Sequence, residues 1–392
     1  MNFPHSVRVD WRRSAVVSLL TAITVALTAC GGGSDDAGTG EPRVGSLKLL
    51  GTTSIPTGTL FDSVEFGGIS GLDRAGDGSY WAISDDRGGE RGTPRFYNLS
   101  IDYGDTGATQ VAVKINRLAN MQREDGTPFP STARTVDPEA IRQAPNGNLY
   151  WSSEGNWGTT AATLFQPFVR EMTPDGKFVR EFRTPSIYNY VDNTTTGGRS
   201  NKIFEALTVA PDGTLFVANE DALIQDGPLT SVQAGSVVRV TALDTATGAA
   251  KAQYAYQLPK IPVDAPAGAA FGPDNGLSDI LAIGNRKFLA VERAFASGIG
   301  NTIRLVQTEI TDATTDVTGI AKLNAAPYTP MTRKLLLEMP ITYQGVTLDN
   351  IEAITWGKTS SNGNRTLVLA ADNNFTATTQ ATQFLVFEVL PN

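Results

Sequence analysis

Short apolar runs separated by polar turns fill most of this chain, and one arrangement of them occurs five times. Each copy has an apolar run, a turn rich in Gly, Asn, Asp or Pro, and a second run rich in aromatic and branched residues. These features are typical of β-hairpins. The copies lie at 68–88, 138–156, 204–222, 277–295 and 350–375. Their reference positions, spaced 66 to 74 residues apart, are Ser70, Glu139, Glu205, Asp279 and Glu352.

Further strand-like runs, such as RFYNLSID and SVVRVTALD, lie between the copies and bring each repeat to four strands. Four-stranded repeats with little helical periodicity predict an all-β fold, a β-propeller of five four-stranded blades. The fifth repeat supplies only three strands, and the N-terminal run at 44–53 can complete its sheet and close the ring. A six-bladed ring is the alternative, in which the segment 296–345 contains a further blade.

Carboxylates recur at two positions of the repeat, where the first strand starts and where the second strand ends. In 204–222, Glu205 and Glu220 lie equally far from the PDG turn, so they face each other although like charges repel across a sheet. Similar pairs surround the other turns, and closure of the ring brings them to one rim of a central funnel. The predicted rim acids are Asp85, Asp86, Glu139, Glu154, Glu205, Glu220, Asp279, Glu292, Glu352 and Asp372.

Crowded carboxylates either share protons, with raised pKa values, or bind cations. Ca²⁺ is the predicted cofactor and Mg²⁺ the alternative, because hard cations prefer oxygen ligands. Another interpretation is that these residues only cap strands and hold blades together. Three basic residues beside the acids, Arg87, Lys202 and Arg293, either neutralise them or bind an anionic substrate.

The N-terminus has the features of an export signal. Three arginines precede the apolar stretch AVVSLLTAITVALTA, and the segment ends in LTAC at Cys30, which resembles the lipobox of bacterial lipoproteins. We therefore expect a signal peptide at 1–29, a lipidated Cys30 and flexible tether at 30–43, and one propeller domain at 44–392. The residues after Cys30 favour the outer membrane. A transmembrane anchor is the alternative, although fifteen apolar residues are short for a bilayer core of about 30 Å.

Removal of this signal would leave no imidazole and no free thiol, since His5 and Cys30 are the only residues of their types. That excludes Ser-His-Asp and Cys-His catalysis, histidine-bound zinc and disulfides from the mature domain. The formal charge is −8, and −10 without the signal's net +2, which disfavours nucleic acid as a partner. We expect a monomer that acts on a small molecule.

Five motifs together resemble one family: WAISDDRG, LYWSSEGN, FEALTVAPDGTLFVANEDA, LAVERAF and LVLAADNNF. They are similar to the phytase-like family described as having esterase-like activity, a group of secreted bacterial β-propellers, and the match covers about 68–390. The resemblance implies calcium-dependent hydrolysis of phosphoesters in an acidic funnel, where the ions bind phosphate and activate water. The rim acids match the recurrent acidic positions of the family, whereas the substrate does not carry over.

The leading hypothesis is a lipid-anchored extracytoplasmic metal-dependent hydrolase of phosphoric esters. Its catalytic candidates are Lys202, Arg87, Arg293 and Glu205, with Lys202 or Arg293 holding the ester. One alternative is a calcium-dependent lactonase or carboxylester hydrolase that uses the same funnel. The other is a non-catalytic surface binding or scaffold propeller with structural metal.

Overall fold

The strands of this protein form five four-stranded antiparallel sheets arranged as the blades of a ring. The computed structural model describes residues 42–86, 91–105, 109–131, 134–192 and 195–391. The predicted signal peptide, Cys30 and Arg87 therefore lie outside the described residues. Within them, the predicted five-bladed all-β propeller is confirmed.

Blades one to four each use four consecutive strands, whose order in the sheet follows the chain. Blade one consists of Ile69–Arg74, Tyr80–Ser84, Arg95–Asp102 and Ala112–Asn120. Blade two consists of Pro138–Gln143, Leu149–Ser153, Phe168–Met172 and Phe178–Glu181. Blade three consists of Phe204–Val209, Leu215–Asn219, Ser236–Leu243 and Ala250–Leu258. Blade four consists of Asp274–Ala282, Lys287–Ala296, Gly300–Glu309 and Lys334–Met339.

Blade five joins the two ends of the described chain. Its inner strands are Asn350–Thr359, Arg365–Asp372 and Ala381–Leu390, and its outer strand is the N-terminal Ser46–Pro56. Ser46–Pro56 pairs antiparallel with Ala381–Leu390, which confirms the predicted closure of the ring. The segment 296–345 contributes outer strands of blade four, so it contains no sixth blade within the part of the chain that the structure describes.

Five apolar clusters fill the spaces between neighbouring blades, one cluster for each interface. Between blades three and four, the rings of Phe216 and Phe288 meet edge to face with centroids 4.9 Å apart. Trp81 and Trp151 lie in the cluster between blades one and two. Each sheet thus buries both faces, which accounts for the many strands that are apolar along their whole length.

The remaining elements are short. Two small hairpins, Leu60–Phe61 with Val64–Glu65 and Thr342–Tyr343 with Val346–Thr347, precede the inner strands of blades one and five. Short 3₁₀ turns occur at Ser186–Tyr188, Ile224–Asp226 and Leu323–Ala325. Among the described residues, no helix has the length and apolar character needed to cross a membrane.

Candidate functional site

A β-bulge interrupts the inner strand of every blade at the same level of the ring. The pairing with the second strand shifts by one residue at this point, and the bulged position is left without a partner in the ladder. Bulges re-aim side chains beside functional sites. The bulged positions are Ser70, Glu139, Glu205, Ser278 and Glu352.

The end of each second strand supplies the other half of the rim. One residue beyond the last pair before the bulge, the five blades carry Asp85, Glu154, Glu220, Arg293 and Asp372. Inner strands begin, and second strands end, on the same face of the ring. The two sets therefore form one ring of ten positions at the funnel mouth, which we call the rim. Seven of the ten are carboxylates.

In blade four, the predicted rim positions are one residue away from those observed. Leu277 pairs with Glu292 and Asp279 pairs with Val291, so the rim positions are Ser278 and Arg293. A shift of one residue moves a side chain to the opposite face of a strand. The spacing contained a usable signal, since 70/85, 139/154, 205/220 and 278/293 are each fifteen residues apart.

Asp279 lies one level below the rim and pairs with Arg142, a residue that the sequence reasoning missed. Arg142 Nη2 donates to the Asp279 carboxylate oxygens at 2.6 and 2.8 Å, and both side chains are buried. Arg142 also donates to the carbonyls of Leu72 and Ile354 at 2.6 and 3.2 Å. The pair thus joins the inner strands of four blades and lies across the central channel below the rim.

Glu292 and Asp86 are also held by neighbouring cations away from the rim. Arg333 donates two hydrogen bonds to Glu292, at 2.8 and 2.6 Å, and the Tyr256 hydroxyl donates a third. Asp86 forms a buried ion pair with Arg95. These two acids are therefore parts of structural ion pairs in this protein.

The rim acids of blades one to three gather into one cluster. Glu139, Glu154 and Glu205 each place a carboxylate oxygen within 4.8 Å of the others, and all three are buried. A second set shares Glu139 and adds Asp85 and Asp137 within the same distance. We call these five residues the acid cluster. Asp137 was missed, although the alternation in DPE places it on the same side of its strand as Glu139.

Burial and mutual repulsion perturb this cluster strongly. Burial, and then the nearby carboxylates of Glu205 and Asp85, raise the pKa of Glu139 well above its usual range. Burial and the Glu220 carboxylate raise the pKa of Glu154 to about 8. Burial, followed by the neighbouring carboxylates, likewise raises the pKa of Glu205 well above normal. Without a ligand, burial and mutual repulsion therefore favour the protonated forms of Glu139, Glu154 and Glu205.

The donor set fits a hard divalent cation. The backbone N–H of Ile203 donates to one oxygen of Glu154, while the other oxygen is buried and has no hydrogen-bond partner among the described residues. Carboxylate oxygens from three adjacent blades converge within the distance that a shared cation requires. Cations with oxygen ligands, Ca²⁺ in particular, match such a site.

Lys202 makes two ion pairs at the junction of blades three and four. Its Nζ donates to Glu220 at 2.6 Å and to Asp274, another residue missed from the sequence, at 2.8 Å. The lysine precedes its strand, yet its ammonium group is mostly buried between the two carboxylates. Burial favours loss of its proton, but the two carboxylates outweigh that effect and raise the pKa of Lys202.

Arg293 lies between the rim acids of the two neighbouring blades. Its Nη2 donates to Glu220 at 3.0 Å, and its Nε lies 3.5 Å from Glu352 without a hydrogen bond to it. Glu352 also accepts a hydrogen bond from Asn350 at 2.8 Å. Burial raises the pKa of Glu352 to about 7, although the Arg293 charge opposes the rise. We call Lys202, Arg293, Glu220, Asp274 and Glu352 the paired sector.

Asp372 completes the rim in blade five. The backbone N–H of Asn374 donates to it at 2.8 Å. Burial, together with Glu352 and Asp85, raises its pKa well above normal. The carboxylate of Asp372 is therefore close enough to interact with Asp85 of the acid cluster and with Glu352 of the paired sector.

The fold and the site together define a class of protein: a closed five-bladed propeller with a buried carboxylate cluster at one mouth of its funnel. The chain belongs to the phytase-like family, described as "Esterase-like activity of phytase", whose profile matches residues 64–375. No curated protein matches the chain significantly.

Solved structures resemble the chain at a coarse level. An aldose sugar dehydrogenase from Streptomyces coelicolor is 15% identical, with coverage of 89% of this chain and 99% of that one and a TM-score of 0.40. A gluconolactonase from Xanthomonas campestris is 13% identical, with coverage of 92% and 99% and a TM-score of 0.34. A thermostable family-43 glycoside hydrolase is 10% identical, with coverage of 82% and 90% and a TM-score of 0.46. At these identities and TM-scores, the similarity supports no conclusion about the function of this chain.

Proposed function

We propose that this protein is a divalent-cation-dependent hydrolase of phosphoric esters, with Ca²⁺ as the preferred ion. The observation that carries the proposal is the convergence of Glu139, Glu154 and Glu205 within 4.8 Å in a buried part of the funnel. Membership of the phytase-like family supports the reaction class. Two cations, Lys202 and Arg293, lie on the adjacent part of the rim and suit an anionic substrate.

In this proposal, the role of each residue follows from its place in the funnel. A bound divalent cation supplies Lewis acidity, which withdraws charge from phosphoryl oxygens and makes water easier to deprotonate. The acid cluster would hold the cation, and Glu205 would accept the proton of the attacking water. Lys202 and Arg293 hold the ester and stabilise the charge that develops on its oxygens.

Carboxylic esters and lactones are the second candidate substrate class. The family description names an esterase-like activity, which favours this alternative. The same funnel serves it, because a carbonyl oxygen that becomes negatively charged needs the same cation and the same arginine. The non-catalytic scaffold is the remaining alternative, in which the cation only stabilises the ring.

Hydrolysis of p-nitrophenyl phosphate, measured with Ca²⁺ and after chelation with EGTA, tests the proposal. We expect turnover only with the cation, and a loss of at least about 100-fold in kcat/KM for Glu205→Gln, since a positioned proton acceptor contributes about 10²–10⁴-fold. Glu388→Gln is the matched control, because this glutamate is held by Asn362 and Asn364 at 2.7 and 2.8 Å on the opposite face.

Each other outcome selects a different function. Turnover of p-nitrophenyl acetate or a lactone without phosphatase activity would favour the carboxylester alternative. Stabilisation by Ca²⁺ without turnover of any ester would favour the scaffold. Absence of any Ca²⁺ or Mg²⁺ binding contradicts all three.

We also propose that the protein is exported and anchored by a lipid on Cys30, because its N-terminal apolar stretch follows three arginines and ends in LTAC. Labelling of cells with a radioactive or alkyne-bearing palmitate tests this proposal. We expect the label in the wild-type protein and none in Cys30→Ser. Labelling that persists in the variant contradicts the assignment.

A further inference from the structure

Blade four departs from the others at both of its rim positions. Blades two, three and five carry two carboxylates each, and blade one carries Ser70 and Asp85, whereas blade four carries Ser278 and Arg293. It is therefore the blade whose two rim side chains both offer hydrogen-bond donors. An anion would be repelled by the carboxylates of the other blades, whereas at blade four it could accept hydrogen bonds from both rim side chains.

Both donors of blade four lack a hydrogen bond among the described residues. The Ser278 side chain is 2% exposed, and its hydroxyl has no hydrogen-bond partner there. Arg293 Nε is also buried, and although it lies 3.5 Å from an oxygen of Glu352 it does not form a hydrogen bond to it. A buried donor without an acceptor costs about 1–3 kcal/mol, so native proteins retain such groups for a reason.

Ser70 shows that this state is not a general property of the bulge. It occupies the same position in blade one and is also 2% exposed, but its hydroxyl donates to the Pro138 carbonyl of the next blade at 3.2 Å. The hydroxyl of Ser70 is thus a link between blades. Ser278 has the same backbone setting and no such link.

The two donors of blade four occupy the two rim positions of a single blade. In blade two, the residues at the equivalent positions, Glu139 and Glu154, have oxygens within 4.8 Å of each other, so side chains at these two positions can act on one group. Arg293 also reaches towards Glu220, which borders the acid cluster through Glu154 and Glu205. Donors and acid cluster therefore occupy adjacent arcs of one rim.

We propose that Ser278 and Arg293 form an oxyanion subsite, in which the Ser278 hydroxyl and Arg293 Nε donate to a phosphoryl oxygen of the substrate. This inference rests on the proposed function, and it adds a substrate-binding residue that the rim acids alone do not indicate. The other phosphoryl oxygens face the acid cluster and its cation. A charged oxygen satisfies both donors, and hydrogen bonds to charged groups are the strong ones.

Binding of phenylphosphonate, a phosphomonoester analogue that cannot be hydrolysed, tests the subsite by calorimetry at saturating Ca²⁺. We expect Ser278→Ala to weaken binding about tenfold to a hundredfold, the effect of losing one hydrogen bond to a charged group. Ser278→Thr keeps the hydroxyl and should retain most of the affinity. Ser70→Ala, the matched control, should bind like the wild type.

Two further measurements separate the subsite from a general effect on the fold. The Ca²⁺ affinity, measured without phosphonate, should be the same in Ser278→Ala and in the wild type. The melting temperature of Ser278→Ala should stay level or rise because an unsatisfied group is removed, whereas Ser70→Ala should melt lower because a hydrogen bond is lost.

The subsite is wrong if Ser278→Ala binds phenylphosphonate as tightly as the wild type, if Ser70→Ala weakens binding equally, or if the wild type does not bind the compound. The proposed function fails in a different way. Binding that depends on Ser278 in a protein that hydrolyses no phosphoester would support the subsite and contradict the hydrolase. Hydrolysis with an unchanged KM in Ser278→Ala would do the reverse.

Discussion

The paired sector and the acid cluster are neighbouring parts of the funnel mouth, and they differ in what offsets the charge of their buried carboxylates. In the paired sector, Lys202 and Arg293 lie 2.6 and 3.0 Å from Glu220, so the protein supplies the countercharge itself. In the acid cluster, Glu139, Glu154 and Glu205 come within 4.8 Å of one another, and the strongest influences on Glu139 after burial are other carboxylates. The paired sector contains its own cationic side chains, whereas the acid cluster gains stability from an added cation.

This difference identifies which acids are the better candidates for cation ligands. A carboxylate that is already bonded to a cationic side chain must lose that partner before it can bind a metal. Among the described residues, Glu139, Glu154 and Glu205 form no ion pair with a cationic side chain, so an ion that enters displaces protons from them instead. The predictions below test whether the two arcs differ in this way.

The largest effect is expected from Arg293→Met, which removes a countercharge from the paired sector. Glu220 and Glu352 would then lack one of their cationic neighbours. We expect the free energy of unfolding, measured with urea, to fall by about 3–5 kcal/mol, the usual cost of breaking a buried pair.

An exposed pair gives the control for this experiment. Arg286 donates to Asp312 at 3.0 Å, and the two side chains are half and fully exposed. Arg286→Met should cost about 1 kcal/mol or less. Equal losses in the two variants would remove the distinction between the paired sector and an ordinary surface pair.

The second effect is stabilisation by added Ca²⁺. An ion that binds only the native state should raise the free energy of unfolding by about 2.7 kcal/mol at a concentration of 100 times its Kd. Glu139→Gln combined with Glu154→Gln should abolish this gain, because both remove charge from the acid cluster. Glu388→Gln should keep it, and a melting temperature that ignores Ca²⁺ and EGTA contradicts the cation site.

The sequence predicted the repeats, the five blades and the closing strand because these depend on local patterns that recur along the chain. It also identified the seven carboxylates of the rim, but the predicted facing of Glu205 and Glu220 is wrong: Phe204 pairs with Asn219, and a bulge leaves Glu205 without a partner in the ladder. Blade four was misassigned because two acids, Asp279 and Glu292, lie one residue from the rim positions. The fifteen-residue spacing found in blades one, two and three selects Ser278 and Arg293 in blade four instead of these acids.

Cross-ring partners could not be predicted in the same way. Arg142 and Asp279 are 137 residues apart and meet only because the ring closes. Asp274 lies in no repeated motif, and it is recognised by its 2.8 Å contact with Lys202. Such pairs depend on three-dimensional arrangement, for which one repeat viewed alone contains no signal.

The third effect is on how the free energy of unfolding changes with pH. Carboxylates in ion pairs make the native state more stable as pH rises, and the carboxyl groups with raised pKa values should do the opposite. The pKa values of Glu154 and Glu352 rise to about 8 and about 7, so between pH 4.5 and 8 the native state holds protons that the unfolded chain has lost. The free energy of unfolding of the calcium-free protein should therefore fall as pH rises, by about 1.4 kcal/mol per pH unit for each extra proton. Saturating Ca²⁺ should displace the proton of Glu154, which belongs to the acid cluster, and so make the profile less steep, whereas a calcium-free profile that rises through this window contradicts the raised pKa values.

The smallest effect is the most direct contrast between the arcs. Without Ca²⁺, Glu205→Gln removes a carboxyl group whose ionisation burial and three neighbouring carboxylates disfavour, so the free energy of unfolding at pH 8 should rise by on the order of 1 kcal/mol, the scale of one pKa unit. In the paired sector, Asp274→Asn removes a charge that Lys202 stabilises, because the pKa of Asp274 is lowered by that cation against the effect of burial. The same kind of substitution should therefore destabilise the protein there. Opposite signs in urea titrations of the two variants would establish that one arc has its countercharge built in and that the other needs a ligand, whereas equal signs would mean that the rim is electrostatically uniform.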